Sequence, residues 1–170
     1  TSGEVDECWD GGLYKPGSIG DYVWEDLNAN GIQEAGEPGI DGVTVNLYTC
    51  GNLLVGTTTT AGGGLYLFEN LKPGCYVVEF VNPGGYLFSE PNQGGDDEKD
   101  SDADKVTGKT GQIDLSEGEH DLSNDAGLYK TACIGDLVWN DSNANGIQDA
   151  GEVGIGGVTV EVRRCSDDSL

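Results

Sequence analysis

Apolar residues in this chain fall at every second position over short stretches, and nowhere at helical spacing over a useful length. Val43, Val45 and Leu47 alternate with Thr44, Asn46 and Tyr48, which sets the first three on one face of a strand and the others on the opposite face. Tyr76, Val78 and Phe80 repeat the pattern and form a buried set. The pattern predicts strands at 19–25, 43–49, 53–60, 64–68, 75–81, 112–115 and 121–129, with Gly-, Asn- and Pro-rich turns between them. Seven short strands joined by turns read as an all-β Greek-key, Ig-like sandwich.

The pattern also repeats. Residues 19–50 match residues 134–165 at 22 of 32 positions without a gap, an offset of 115. At that offset DGGLYK (10–15) falls on DAGLYK (125–130). The chain therefore divides into the closing strand and linker of one repeat (1–17), a complete repeat (18–130) and the opening third of another (131–170). So long a period means separate modules in series, because solenoid units are much shorter. A start at TSGEV without a leader reads as a piece of a larger protein.

Charge narrows the choice of partner. Thirty-one Asp and Glu against 8 Lys and Arg give a net charge of -23, a field that repels nucleic acid and anionic lipid and attracts cations. No apolar run is long enough to cross a bilayer, so direct membrane insertion is not expected.

The candidate chemistry lies in the loop DLNANGIQEAGE, residues 26–37. A calcium loop of twelve residues needs oxygens at positions 1, 3, 5, 9 and 12, a backbone carbonyl at 7, and a glycine at 6. Asp26, Asn28, Asn30, Glu34 and Glu37 supply the side-chain oxygens, Ile32 the carbonyl and Gly31 the turn. Asp141, Asn143, Asn145, Asp149 and Glu152, with Ile147 and Gly146, fill the same places in the second copy. Turn chemistry explains Asn30 and Gly31 by themselves, but not the acids at positions 9 and 12 in both copies. Hard oxygen ligands without His or Cys suit Ca2+ better than zinc or copper. The flanks are strands, so the site is expected to be structural, with no helix pair to open as a sensor does. A second candidate is GGDDEKDSDAD, which packs six acids into residues 96–104. Asp100, Asp102 and Asp104 carry DxDxD spacing there, with Asp21 and Asp41 as possible further ligands, and a solvated acidic loop is the alternative.

The five cysteines, Cys8, Cys50, Cys75, Cys133 and Cys165, contain no CxxC pair. Cys50 ends one strand and Cys75 begins another, so a disulfide between them is expected in an oxidising compartment. Cys165 repeats Cys50. Cys8 and Cys133 could pair only if the chain ends meet. Trp24 and Trp139 occupy equivalent packing positions. His120 is the only histidine and reads as a strand-edge surface residue, so no nucleophile has an evident base and no enzyme is expected. Tyr48, Tyr66 and Tyr86 could form an aromatic platform for a carbohydrate or protein, the alternative function.

IGDYVWEDLNANGIQEAGEPGIDGVTVNLY, GLYLFENLKPGCYVVEF and GGDDEKDSDADKVTGKTGQIDLSEGEHDLSNDAGLY resemble, in that order, the B repeats of serine–aspartate-repeat surface adhesins. These are relatives of the collagen-adhesin B domain. The resemblance implies a prealbumin-like sandwich acting as a calcium-binding, stalk-like tandem module on a bacterial surface, secreted and extracellular. Its expected partners are calcium ions and adjacent repeats, with host protein or polysaccharide met through other domains. Related modules often carry a Lys–Asn isopeptide crosslink, but the first strand here has no lysine, and that bond is not expected.

Overall fold

The computed structural model describes residues 11–162. It divides the chain into two compact units, Thr1–Thr131 and Ala132–Leu170. All regular structure in the described residues of the first unit is β. The strands are β1 Gly17–Glu25, β2 Thr44–Thr49, β3 Leu54–Thr59, β4 Leu65–Leu71, β5 Gly74–Val81, β6 Leu87–Phe88, β7 Ile113–Leu115, β8 His120–Asp121 and β9 Ala126–Tyr129.

Two sheets form a sandwich. One runs β4-β1-β9-β6, with β8 also paired to β1, and the other runs β3-β2-β5-β7. The chain changes sheet at nearly every connection, in Greek-key manner. First and last strands lie parallel: Val23, Trp24 and Glu25 sit opposite Ala126, Gly127 and Leu128. The alternating residues meet between the sheets, where Val43, Val45, Leu47, Val78, Phe80, Ile19 and Val23 are almost wholly buried. Each such aliphatic or aromatic side chain contributes about 1.5–3 kcal/mol by leaving water.

Seven strands were expected and nine are present among the described residues. The additions, β6 and β8, are two residues long, too short to show a period, and the expected closing strand at 121–129 is divided into β8 and β9 by residues 122–125, which lie in no strand. Residues 11–16 precede β1 and are not in a strand.

Tertiary contacts fix the base of the first candidate loop. Glu25 N–H donates to the Pro38 carbonyl at 2.8 Å, and Ile40 N–H donates to the Val23 carbonyl at 2.8 Å, so the chain leaves β1 and returns beside it. Gly39 is required at the crossing, because a Cβ there would overlap the Gly63 carbonyl. Trp24 is completely buried.

Cys50 and Cys75 are joined by a disulfide with Cα atoms 5.5 Å apart, tying the end of β2 to the start of β5. Cys133 is a free, exposed thiol. Cys8 and Cys165 lie outside the described residues.

Candidate functional site: two acidic loops on one edge

Asp26 follows directly on β1 and is 1% exposed. Its own N–H is held by the Leu128 carbonyl at 2.9 Å, so the carboxylate is carried on the sheet itself. Its two oxygens accept the N–H groups of Asn30 at 3.2 Å and Gly31 at 2.8 Å. Asn28 and Asn30 accept the N–H groups two residues ahead of each, at 3.0 and 2.8 Å. Glu37 closes the loop by accepting from Leu27 and Glu34 N–H at 2.8 and 3.0 Å, while Asn28 Nδ2 donates to Glu34 at 2.6 Å. Five oxygen-bearing side chains thus wrap one short loop. Each carboxylate oxygen has a lone-pair site beyond the single bond it accepts here.

The second copy folds alike. Asp141 accepts from Asn145 and Gly146 N–H at 3.1 and 2.8 Å, Asn145 from Ile147 N–H at 2.7 Å, and Glu152 from Ser142 and Asp149 N–H at 2.9 and 3.0 Å. Asp149 accepts from the amides of Asn143 and Asn145, both at 2.8 Å, and this holds its carboxyl below the usual range. The same backbone-to-side-chain bonds form in both units, so local sequence dictates this loop, while the Asn145 amide bond to Asp149 has no counterpart in the first copy.

The second acidic loop packs against the first. Gln33 N–H donates to the Lys99 carbonyl at 2.7 Å and Ser101 N–H to the Gly31 carbonyl at 3.0 Å, on either side of a bridge between Ile32 and Asp100. Gly31 is in the left-handed region at φ 78°, and a Cβ there would strike the Glu90 carbonyl, so the turn glycine of the loop is also where the two segments meet.

Here the structure assembles what the chain separates. Carboxylate oxygens of Asp97, Asp100 and Asp102 come within 4.8 Å of one another. Asp104 does not join them, because its carboxylate accepts Val106 N–H and the N–H and hydroxyl of Thr107, which lower its pKa. Lys99 turns to Asp96 at 2.6 Å. Behind the cluster lies Asp125, fully buried, with one oxygen accepting Tyr22 N–H at 2.8 Å and the other without a hydrogen-bond partner. Asp102 in turn accepts Asp125 N–H at 2.7 Å. An oxygen of buried Asp100 likewise has no partner.

The electrostatics follow from this crowding. Burial, reinforced by Asp21 and by Asp102 and Asp100, pushes the Asp125 carboxyl up to about 9 despite the bond from Tyr22. Burial also raises Asp102 to about 7, with Asp100, Asp97 and Asp121 adding to the shift against the Asp125 N–H. Asp100 is raised by burial and by Asp97 and Asp96, and Asp21 by burial and Glu98.

Asp97 and Asp125 are the residues that spacing did not single out. Asp125 carried a signal in principle: it is an acid at the head of a buried apolar strand, and Asp10 holds the same place one repeat earlier. Of the further ligands considered, Asp21 borders the cluster, whereas Asp41 accepts Gly63 and Gly64 N–H at 2.8 and 2.7 Å and caps that turn. The tyrosines form no platform. Tyr66 is a core residue whose hydroxyl donates to the Asn124 carbonyl at 2.6 Å, and Tyr48 and Tyr86 each have a lysine over the ring at 5.1 Å. His120 is exposed, with Nδ1 2.7 Å from Ser18 Oγ.

Fold and loops together define a β-sandwich repeat with paired acidic loops at one edge. The chain belongs to the SdrD B-like domain family, whose model matches residues 17–128 and again 132–170. It is 44% identical over 155 residues to serine-aspartate repeat-containing protein D of Staphylococcus aureus strain Newman, covering 89% of this chain and 11% of that protein. Protein F of Staphylococcus epidermidis is 44% identical over 147 residues, covering 86% and 8%, and protein E of S. aureus strain USA300 is 43% identical over 166, covering 95% and 14%. The chain thus spans about a tenth of the length of the curated relatives it matches. Among solved structures, GBS52, the minor pilin of Streptococcus agalactiae, aligns with TM-score 0.49 and 10% identity over 74% of this chain and 49% of that chain.

Proposed function

We propose that residues 17–129 form a non-enzymatic spacer module of a bacterial cell-surface protein, stiffened by calcium at its two acidic loops, with neighbouring repeats as its direct partners. The observation that carries this reading is the pair of buried carboxylates, Asp100 and Asp125, each with an oxygen that no group of the protein satisfies. Burying a carboxylate without compensation costs several kcal/mol, so such groups are retained where a cation or a proton completes them. Asp97, Asp100 and Asp102, with Asp125 behind them, offer only hard oxygens, as calcium requires. Asp26, Asn28, Asn30, Glu34, Glu37 and the Ile32 carbonyl would hold a second ion, and Asp141, Asn143, Asn145, Asp149, Glu152 and the Ile147 carbonyl their counterpart in the following unit.

A bound calcium ion would supply the positive charge that these carboxylates lack. The residues themselves join the loops: the bonds Gln33 to Lys99 and Ser101 to Gly31 pass order at one loop on to the other. Ligation confined to the folded state adds RT ln(1 + [L]/Kd), about 2.7 kcal/mol at a hundredfold excess over Kd. An extracellular setting agrees with the Cys50–Cys75 disulfide. Among the described residues no helix is long and apolar enough to cross a membrane.

The test is a thermal melt of the whole chain with calcium and after chelation, repeated with Asp26→Ala, Glu37→Ala and Asp100→Asn. A large calcium-dependent rise in Tm that these substitutions reduce is expected. An unchanged Tm would leave the loops as turns and end the calcium reading.

A further inference from the structure

The junction ahead of β1 is built. Residues 11–15 stand, at the 115-residue offset, where 126–130 close the complete repeat, so Lys15 is the last residue of a preceding module. Lys15 is bound through its backbone to the turn at residues 116–119. Its N–H donates to Glu117 Oε1 at 2.9 Å, and its carbonyl accepts Gly118 N–H at 3.0 Å. Gly118 is left-handed at φ 71°, and a Cβ there would lie 3.3 Å from Lys15 Cβ, so the turn presents its bare backbone to the incoming chain. Further along, Ser18 N–H donates to the Glu119 carbonyl at 2.9 Å, and the parallel register continues through Ser18 with His120 and Ile19 with Asp121. The connecting residues leave little slack. Pro16 has a fixed φ and no N–H, and Gly17 is buried where a Cβ would come 2.5 Å from the Glu119 carbonyl and 3.0 Å from Leu115 Cδ2.

At the equivalent place in the complete repeat, Lys130 Nζ lies 2.9 Å from Glu25 and over the Tyr86 ring. That lysine is held by its side chain within its own module, while Lys15 shows the backbone held by the module that follows. We infer that the turn at residues 116–119 is a docking surface for the closing segment of the preceding copy, clasping Lys15 so that successive modules keep a fixed direction in place of a free swivel. The inference deepens the spacer reading and rests on it. It concerns the Lys15-Pro16-Gly17-Ser18 junction, since the next junction reads Lys130-Thr131-Ala132-Cys133.

The experiment is 15N relaxation and amide exchange on the full chain and on Glu117→Ala, an exposed position, each with calcium and with chelator. In the wild type, Leu13 to Lys15 should tumble with the sandwich and the Lys15 amide should be protected. Glu117→Ala should speed Lys15 exchange by about tenfold, as expected for losing one charge-assisted hydrogen bond, and leave Tm nearly unchanged. A Lys15 segment that relaxes as a free tail in the wild type, or exchange unaffected by Glu117→Ala, would overturn the clasp. The two readings separate cleanly: a Tm indifferent to calcium with Lys15 protected sinks calcium stiffening alone, and a calcium-dependent Tm with a free tail sinks the clasp alone.

Discussion

Asp125 concentrates the chemistry of this module in one side chain. Its carboxyl sits at about 9 and that of Asp102 at about 7, both raised above the unfolded value near 3.9, chiefly by burial. Above about pH 4, therefore, the metal-free folded state holds protons that the unfolded chain has released, and stability falls as pH rises through 7 and towards 9. In chelator, Tm should be higher at pH 5 than at pH 8, and the increment from calcium should grow over the same interval as the carboxyls are freed. Asp125→Asn removes the cost of keeping this buried carboxyl protonated above its unfolded pKa, and keeps the Tyr22 acceptor. It should raise the metal-free Tm at pH 8 by a few degrees and flatten the pH slope, while reducing the calcium increment; a variant that only lowers Tm in both conditions would contradict this account.

Among the elements, the strands with regular alternation were legible and those that depend on partners were not. Val43, Val45 and Leu47 announce β2 because one face must be apolar wherever a sheet covers a core. Leu87–Phe88 and His120–Asp121 are strands only because β9 and β1 lie beside them. The disulfide belongs to this scale, since it links β2 to β5 across an interval of 25 residues. Replacing Cys50 and Cys75 together by serine should cost about 3 kcal/mol in a denaturant titration, most of it through the unfolded state.

For the whole molecule, charge and module boundaries matter most. A chain of net charge -23 gains from any cation that binds the folded state alone. The two units should also differ in resistance to proteolysis. In the first, Val43 just ahead of β2 and Val45 and Leu47 within it are covered, whereas Val158, Val160 and Val162, their counterparts in the second, are 47%, 69% and 72% exposed and lie in no strand. Limited proteolysis should cut within residues 132–162 before it cuts within 17–129, and hydrogen exchange should rank the two segments in the same order.

The sequence by itself determined the repeat, the alternation that makes β2 and β5, and the internal geometry of the loop after β1. These rest on local rules: period-two burial, and Asx and glycine turn chemistry that folds Asp26–Glu37 and Asp141–Glu152 alike. Only the tertiary structure decided which acids converge. Asp97 joins Asp100 and Asp102 while Asp104 turns away to cap its own turn, and Asp125 arrives behind them immediately ahead of β9, 23 residues beyond Asp102. DxDxD spacing cannot reveal this, because the convergence depends on the parallel pairing of first and last strands and on the contact between two loops. Local propensity governs what a few neighbouring residues do to one another, and only the packed sheets bring distant carboxylates together and strip them of water.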